Sequence, residues 1–340
     1  VAYQTFSFLV FPFYFTVVGL PILWISAGFI VWSLWNAFND PLIGTLSDRT
    51  RSRRGRRAVW MLVAAVPLSA MMIILFAPPL AAAPPIKFAY FIAVLLAFDL
   101  CYTSFNVNYN AQWAEMFITT KDRSEVGTVR GIFVIIALIL AFILPTVMIE
   151  DLTNQYNYAY TPIQYLMTGA IASAMVLGAI AIVLRWGVKQ RGEFKQDALT
   201  APSVSASLKY TLGNRAFLFF AVAALATWIC NGILPLIVPL FATYVLGMAE
   251  TNSLQIGLLL LVAFLAAGAT IPLWMKLRQK KGARFTGMVV FVIWAAALLV
   301  FSFTWSVETA FAAMAFVGVG LGGSIFYYDQ CIVDIIDEDE

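Results

Sequence analysis

Long apolar segments alternate with short polar ones along the whole chain. An α-helix needs about 20 consecutive apolar residues to cross the hydrocarbon core of a bilayer, and ten segments of the sequence suit that length. They cover residues 1–19, 24–43, 58–76, 88–110, 129–149, 163–186, 216–246, 254–275, 285–305 and 309–328. The pattern predicts an all-α polytopic membrane protein with ten transmembrane helices.

The composition excludes a soluble enzyme. Hydrophobic residues make up 62% of the 340 positions and charged residues 11%, whereas soluble domains have about 45–50% and about 25%. The chain has no histidine, the commonest general base and metal ligand, and its three cysteines lie far apart in apolar segments without metal-binding spacing. We therefore expect no enzymatic activity, metal centre, cofactor or nucleic-acid partner.

The basic residues fall on one side of the predicted membrane. All of the 21 lysine and arginine residues except Lys87 lie in or beside the loops that follow every second apolar segment. Because basic loops remain in the cytoplasm, this distribution predicts a multi-pass protein of the cell membrane with these loops inside. The long polar stretch 187–213 predicts a cytoplasmic linker between an N-terminal bundle, 1–186, and a C-terminal bundle, 214–340.

Similar motifs recur at a constant distance along the chain. Residues 13–19 and 241–247 both begin with phenylalanine and end with glycine, 228 positions apart. A Pro-Leu pair followed by a basic loop with a glycine also occurs twice, at 41–57 and 272–284. Internal repeats are typical of transporter folds, and these predict two halves of six helices, with four helices of the second half present here.

Residues 39–57, NDPLIGTLSDRTRSRRGRR, carry a specific resemblance, which residues 244–247 and 333–338 support. They resemble the glycoside–pentoside–hexuronide cation symporter family of the major facilitator superfamily. The resemblance implies twelve helices in two bundles, so that helices eleven and twelve and the start of helix one would lie outside this sequence. It also implies secondary transport of a sugar-like or glycoside-like solute by alternating access, coupled to H⁺ or Na⁺.

The resemblance also implies a cation site. The family has carboxylates at three positions that correspond here to Asn36 and Asp40 on helix two and Asn106 on helix four. Amide oxygens can bind Na⁺, but a single carboxylate favours coupling to a proton. In the alternative interpretation, Asp40 is a structural acid at the helix end, paired with the arginine loop.

Four polar residues are candidates for substrate binding, namely Asn106, Asn110, Arg130 and Asn231. Arg130 matches the family's sugar-contacting arginine and Asn231 a family asparagine, although Arg130 also suits a cytoplasmic membrane anchor. Amides bind hydroxyl groups without adding charge, so we expect a neutral or weakly polar solute. Asp99 matches no family position; it is either a relocated cation carrier or an acid that approaches the outer surface.

The arginine loop is expected to form a gate made of Gly44, Asp48, Arg49, Gly55 and Arg56. Gly44 would permit close helix contact. Asp48 would accept charge-assisted hydrogen bonds from an arginine or a helix N-terminus across the interface between the bundles, and these bonds would form in one conformer and break in the other. Alternatively, the loop is a topological anchor or a patch that binds anionic lipid.

Two other functions remain open. The same fold could carry an amphiphile such as a lysolipid, or it could serve as a non-transporting membrane subunit that has lost its ion site. Besides the bilayer and a small-molecule substrate, nothing in the sequence indicates a protein partner.

Overall fold

A computed structural model describes residues 1–52, 54–117, 120–149, 161–187, 213, 215–248 and 253–339, and this part of the chain is helical apart from short connections. The helices are α1 (Ala2–Pro12), which continues into a π-helical turn (Phe13–Val17), α2 (Ile22–Arg49), α3 (Arg56–Ile74), α4 (Pro84–Met116), α5 (Thr120–Met148), α6 (Thr161–Ile182) with a second π-helical turn (Val183–Gly187), α7 (Arg215–Tyr244), α8 (Ser253–Ser302) and α9 (Val307–Asp339).

The predicted all-α membrane fold is confirmed. Seven of the described helices are long and apolar enough to cross a membrane. One of these candidates, Leu254–Ser302, has 49 residues and covers the predicted segment 254–275 and most of the predicted segment 285–305. Gly282 (φ 82°, ψ 170°) interrupts it, and each arm on either side of that glycine is long enough for one crossing at a rise of about 1.5 Å per residue.

The predicted internal repeat also appears in the backbone geometry. Among the described residues, positive φ angles occur at four glycines, which form two pairs: Gly19 (71°) with Gly247 (67°), and Gly55 (103°) with Gly282 (82°). Glycine adopts this region without the steric cost that a Cβ atom brings. Both repeats therefore turn the chain at corresponding places by the same means.

The helix ends before Gly19 and Gly247 share a hydrogen bond as well. The amide of Val18 donates to the carbonyl of Phe13 at 3.0 Å, and the amide of Leu246 donates to the carbonyl of Phe241 at 3.2 Å. Both bonds span five residues, so each helix widens in its last turn before the chain reverses. The repeat thus extends from residue types to local structure.

The chain divides into two compact units, Val1–Val129 with Asn154–Ser207 and Arg130–Thr153 with Leu208–Glu340. The domain boundaries expected from the sequence remain a prediction, because residues 188–212 of the expected linker lie outside the described part of the chain. In the second unit, glycines allow helices to pack closely. A Cβ atom on Gly318 or Gly322 of α9 would overlap the backbone of Ala263 or Ala267 on α8, so the two helices pack closely along the glycine-rich segment of α9.

In the first unit, aromatic side chains pack α1 against α2 and α4. Phe6 of α1 stacks on Phe98 of α4, with ring centroids 4.4 Å apart and planes inclined by 6°. Phe6 also contacts Trp32 of α2, at a centroid distance of 5.4 Å. These rings bury the middle of α4, where the polar residues considered below are found.

Gly28, and not Gly44, is the glycine of α2 at which a Cβ atom would overlap α4. A Cβ atom on Gly28 would lie 2.5 Å from Cε1 of Phe91, whereas one on Gly44 would lie 3.9 Å from Cγ1 of Val107, an ordinary contact. Among the described residues, the structure therefore shows no contact at Gly44 that only a glycine would permit, and its role in a gate stays a prediction.

We expect Gly28→Ala to lower the free energy of unfolding by about 1–3 kcal/mol, the usual cost of overpacking. The Phe91 ring is fully buried against Tyr14, 4.5 Å away between centroids, and has little room to move. Gly44→Ala is the matched control and should change stability by less than about 0.5 kcal/mol. Unfolding in detergent, followed by circular dichroism, compares the two; equal losses would contradict the prediction.

Candidate functional site

Helices α2 and α4 lie side by side and run in the same direction. Asn36 bonds to Asp99 and Asp40 bonds to Thr103, each pair 63 residues apart in sequence. Gly44 faces Val107 at the same separation. Residue numbers therefore rise together along the two helices, and side chains spaced by three or four residues on α2 meet side chains with the same spacing on α4.

Asp99 is the centre of this contact surface, which we call the α2–α4 seam. Its carboxylate is buried, with 1% of the residue exposed. Oδ1 accepts hydrogen bonds from Nε1 of Trp32 at 3.1 Å and Nδ2 of Asn36 at 2.8 Å, and Oδ2 accepts one from Nδ2 of Asn39 at 3.0 Å. All three donors come from one face of α2.

These three donors compensate for the burial of a charged group. A carboxylate inside a membrane-spanning helix costs several kcal/mol unless it is paired or hydrogen-bonded. Aromatic side chains lie next to Asp99 along α4: Phe98 is buried, and the ring of Tyr102 lies 5.1 Å from that of Tyr3 of α1 between centroids. A low local dielectric strengthens the bonds that are made and raises the cost of any that are missing.

Asn39 has one polar atom without a hydrogen bond. The residue is 0% exposed, and while its nitrogen donates to Asp99, its buried Oδ1 has no hydrogen-bond partner among the described residues. A buried carbonyl oxygen left without a donor typically costs about 1–3 kcal/mol. Most buried polar atoms in native structures are hydrogen-bonded, so this oxygen has the capacity to accept a bond from a water molecule or another donor.

The three residues expected to form the cation site have different partners. Oδ1 of Asp40, an exposed residue, accepts a bond from Oγ1 of Thr103 at 2.8 Å. Asn36 bonds to Asp99, and Oδ1 of Asn106 accepts a bond from Nδ2 of Asn110 at 3.3 Å. Since Asn106 comes seven residues after Asp99, it lies about 10 Å further along α4. The structure thus puts Asn36 and Asp40 opposite Asp99 and Thr103.

The four expected substrate residues divide between the two units. Asn106 and Asn110 are half-buried neighbours on α4, in the first unit. Arg130, on α5, and Asn231, on α7, are half-buried residues of the second unit. The Oδ1 atom of Asn231 is buried and accepts no hydrogen bond from the described residues. Their role in substrate binding stays a prediction.

The arginine loop leads into a compact ion-pair cluster. Nη2 of Arg57 lies 3.0 Å from Oδ1 of Asp48, and Arg56 and Arg57 bind the same oxygen of Glu115 at 2.7 and 2.8 Å. Asp48 therefore contacts Arg57, an arginine of the same unit, and the contact expected for it across the interface between the two bundles stays a prediction. Arg57 joins three helices, because Asp48 lies in the last turn of α2, Arg57 in the first turn of α3 and Glu115 in the last turn of α4.

Gly55 and Arg49 hold different positions around this cluster. Gly55 has a φ of 103° and directly precedes α3, so it sets where the two arginines of the first helical turn begin. Arg49 is exposed at the end of α2. A side chain at position 55 would be strained in this backbone conformation. The gate function of these residues stays a prediction.

Sequence reasoning missed Trp32, Asn39 and the central place of Asp99. A usable signal existed, because Trp32, Asn36 and Asn39 are spaced by four and three residues on one face of α2. The resemblance to the symporter family pointed to Asn106, and not to Asp99, as the residue of α4 in the cation site. Arg57 and Glu115 were also absent from the expected gate, although both are charged residues at helix ends on the basic side of the chain.

Comparison with known proteins gives a consistent result. The profile of the family described as MFS/sugar transport protein matches residues 1–340. The sodium-dependent lysophosphatidylcholine symporter 1-A of Danio rerio is 25% identical over 338 residues, covering 89% of this chain and 61% of that protein. The putative glycoside/cation symporter YagG of Escherichia coli (strain K12) is 29% identical over 219 residues, covering 62% and 44%.

A solved structure shares the fold. The crystal structure of the nucleoside transporter NupG superposes with a TM-score of 0.60 at 13% identity, covering 100% of this chain and 79% of that one. The chain spans about half the length of the curated relatives it matches. Since the family profile covers every residue and the described part of the chain has the all-α membrane fold, the protein belongs to the MFS/sugar transport protein family, whose members are multi-pass transporters and not enzymes.

Proposed function

We propose that the protein is a secondary active transporter that moves a sugar-like or glycoside-like solute by alternating access, coupled to H⁺ or Na⁺. The observation that carries this proposal is the α2–α4 seam, in which α2 contributes the carboxylate of Asp40 and α4 the buried carboxylate of Asp99. Ionisable groups inside membrane-spanning helices are costly and typically mark ion or substrate pathways.

The proposed cargo is a neutral solute with several hydroxyl groups. Asn106 and Asn110 offer amide donors and acceptors on one face of α4, and they carry no charge that would require a charged partner. The family is described as one of sugar transport proteins, and YagG is named as a putative glycoside/cation symporter. Both descriptions support a glycoside as cargo.

The membrane, topology and gate belong to the same proposal. We place the protein in the cell membrane with its basic loops in the cytoplasm, because nearly all lysine and arginine residues follow every second predicted helix. The ion pairs of Arg56 and Arg57 with Asp48 and Glu115 would then lie at the cytoplasmic ends of α2–α4. Charge-assisted bonds of this kind suit a gate that opens and closes during the transport cycle.

A lysolipid is the second candidate cargo. The relative from Danio rerio, named a sodium-dependent lysophosphatidylcholine symporter, matches 89% of this chain. A lysolipid would need an apolar surface for its acyl chain in addition to polar groups for its headgroup. The two candidates make opposite predictions for uptake of a neutral glycoside.

Uptake into proteoliposomes tests these functions. The purified full chain is reconstituted, and labelled methyl glycoside, glucuronide or lysophosphatidylcholine is offered under an inward Na⁺ or H⁺ gradient, with protein-free liposomes and gradient-collapsing ionophores as controls. Gradient-dependent accumulation of the neutral glycoside supports the proposal. Uptake of lysophosphatidylcholine alone favours the second candidate, and no uptake by folded protein favours a non-transporting subunit.

We expect Asp40→Asn to abolish accumulation of the cargo while counterflow exchange continues. The amide is isosteric and keeps an oxygen that can accept the bond from Thr103, so the seam should remain intact while one carrier charge is lost. Accumulation should fall at least tenfold and counterflow should change less than twofold. The exposed Glu308, changed to glutamine, is the control. Full accumulation by Asp40→Asn would contradict the prediction.

A further inference from the structure

The described arginines of the loop between α2 and α3 fall into two groups. Arg56 and Arg57 are bound to the acids at this end of α2 and α4, Asp48 and Glu115. The other three are exposed, and none of them has an ion pair among the described residues; they are Arg49, Arg51 and Arg54. These three arginines therefore carry positive charge that no described acid balances.

Hydrogen bonds hold the backbone of the loop in place. The amides of Gly55 and Arg54 donate to the carbonyl oxygen and to Oγ of Ser52, each at 3.2 Å. Where the loop begins, Oγ1 of Thr50 accepts a bond at 2.8 Å from Nε1 of Trp60, on α3. The loop is thus folded against α3 without a ligand, which lowers the entropic cost of binding one.

The end of α6 lies beside this loop. A Cβ atom on Gly169 of α6 would overlap the carbonyl oxygen of Met72 of α3, and Tyr165 packs on Phe76 with ring centroids 5.9 Å apart. The two helices are therefore antiparallel. The π-helical turn Val183–Gly187 also contacts α3, and the same pairing brings it to the first turn of α3, where the loop ends.

An exposed arginine and an exposed tryptophan occupy this turn of α6. Cζ of Arg185 lies 5.9 Å from the centroid of the Trp186 ring, which is a cation–π distance. Trp186 is 69% exposed, and exposed tryptophans at the ends of membrane-spanning helices typically lie at the level of the lipid headgroups. The pair therefore indicates headgroup depth for the neighbouring loop.

Apolar side chains continue outward-facing along both helices from this point. Val63 and Val66 of α3 are 68% and 65% exposed, and Ile182 of α6 is 59% exposed. In a bilayer, acyl chains cover such a surface. A molecule with a phosphate group and acyl chains would contact both the arginines and the apolar surface, whereas a soluble anion or an acidic protein would contact the arginines alone.

We propose a binding site for the headgroup of an anionic phospholipid, formed by three arginines of the loop and by the end of α6: Arg49, Arg51, Arg54, Arg185 and Trp186. Guanidinium groups bind phosphate oxygens through paired charge-assisted bonds, and basic residues beside a membrane attract anionic lipids. A zwitterionic lipid would bring its own cation beside the arginines. The site goes beyond the proposed transport function and rests on it only for the choice of the inner leaflet.

Quenching of Trp186 by brominated lipids tests the site without any cargo. The purified full chain is reconstituted into phosphatidylcholine vesicles that contain an equal mole fraction of brominated phosphatidylglycerol or brominated phosphatidylcholine. The share of the quenching that belongs to this residue is the difference between each protein and its Trp186→Phe counterpart. We expect phosphatidylglycerol to be preferred over phosphatidylcholine at least fivefold at this position.

Charge-removing variants show whether the loop creates this preference. Changing Arg49, Arg51 and Arg54 together to glutamine should lower it below twofold, and Arg185→Gln should lower it by at least half. The matched control removes three exposed lysines of the second unit by changing Lys276, Lys280 and Lys281 to glutamine. That control has the same loss of net charge and should keep a preference above fourfold.

Three results would overturn the site. They are equal quenching by the two lipids, an equal loss of preference in the lysine control, and displacement of phosphatidylglycerol by inorganic phosphate at constant ionic strength. The outcome is also separate from that of the proposed function. A phosphatidylglycerol preference without uptake of any cargo would support the site and reject transport, whereas glycoside accumulation without such a preference would support transport and reject the site.

Discussion

Asp99→Ala is expected to lower the free energy of unfolding by about 3–6 kcal/mol. The change removes the acceptor of three N–H groups, those of Trp32, Asn36 and Asn39, inside the α2–α4 seam. Each donor left unsatisfied in a buried site typically costs about 1–3 kcal/mol. Water cannot compensate easily, because Asp99 is only 1% exposed and aromatic rings of α1 cover the middle of α4.

Two variants make this experiment specific. Asp99→Asn should stay within about 1 kcal/mol of the wild type, because an amide oxygen still accepts from α2 and Asn39 can rotate to accept from the new nitrogen. Asp40→Ala, which removes an exposed carboxylate with a single hydrogen bond to Thr103, should cost less than Asp99→Ala. Unfolding in a series of SDS–detergent mixtures measures all three. Similar losses for Asp99→Ala and Asp40→Ala would show that the hydrogen bonds to Asp99 carry no special stability.

The helices could be predicted because membrane-spanning segments leave a strong pattern. Backbone groups in a bilayer must bond within their own segment, so each long apolar stretch forms a helix. The positions of the helix ends were predicted less accurately than the helices themselves. The apolar stretch 88–110 becomes a helix from Pro84 to Met116, because the polar turns that follow it, including Glu115, continue the helix to its contact with α3.

The register between α2 and α4 could not be predicted. Spacing along one helix shows which residues share a face, but packing decides which residues of the next helix they meet. Here Gly28 allows α2 to approach Phe91, and the same separation of 63 residues then puts Asn36 opposite Asp99. Matching to the family selected Asn106 instead, about two turns further along α4.

The contacts of the arginine loop were predicted only in part, again because packing decides which residues of neighbouring helices meet. A contact between Asp48 and an arginine follows from opposite charges at the ends of neighbouring helices, but the loop offers six arginines. The turn at Gly55 fixes the start of α3 and so selects Arg57. Glu115 becomes part of the cluster because α4 extends far enough to bring it between the two arginines.

Glu115→Gln is expected to lower the free energy of unfolding by about 2–4 kcal/mol, somewhat below the usual cost of breaking a fully buried ion pair. Glu115 is the shared acceptor of Arg56 and Arg57, and the three side chains are only 12–15% exposed. The change leaves two guanidinium groups close together without their common negative partner, and Arg57 then has Asp48 alone. Because water reaches these groups poorly, added salt should restore little of the loss.

A double-mutant cycle shows whether this loss belongs to the ion pair. Combined with Arg57→Gln, the Glu115→Gln change should show a coupling energy of at least about 1.5 kcal/mol, since removing both charges avoids the unpaired charge that each single change leaves. Combined with Arg49→Gln, it should show less than about 0.5 kcal/mol, because Arg49 is an exposed arginine at the end of α2. Equal coupling in the two cycles would mean that Glu115 responds to the total basic charge of the loop, and the cluster would then lack the specific contacts that a gate requires.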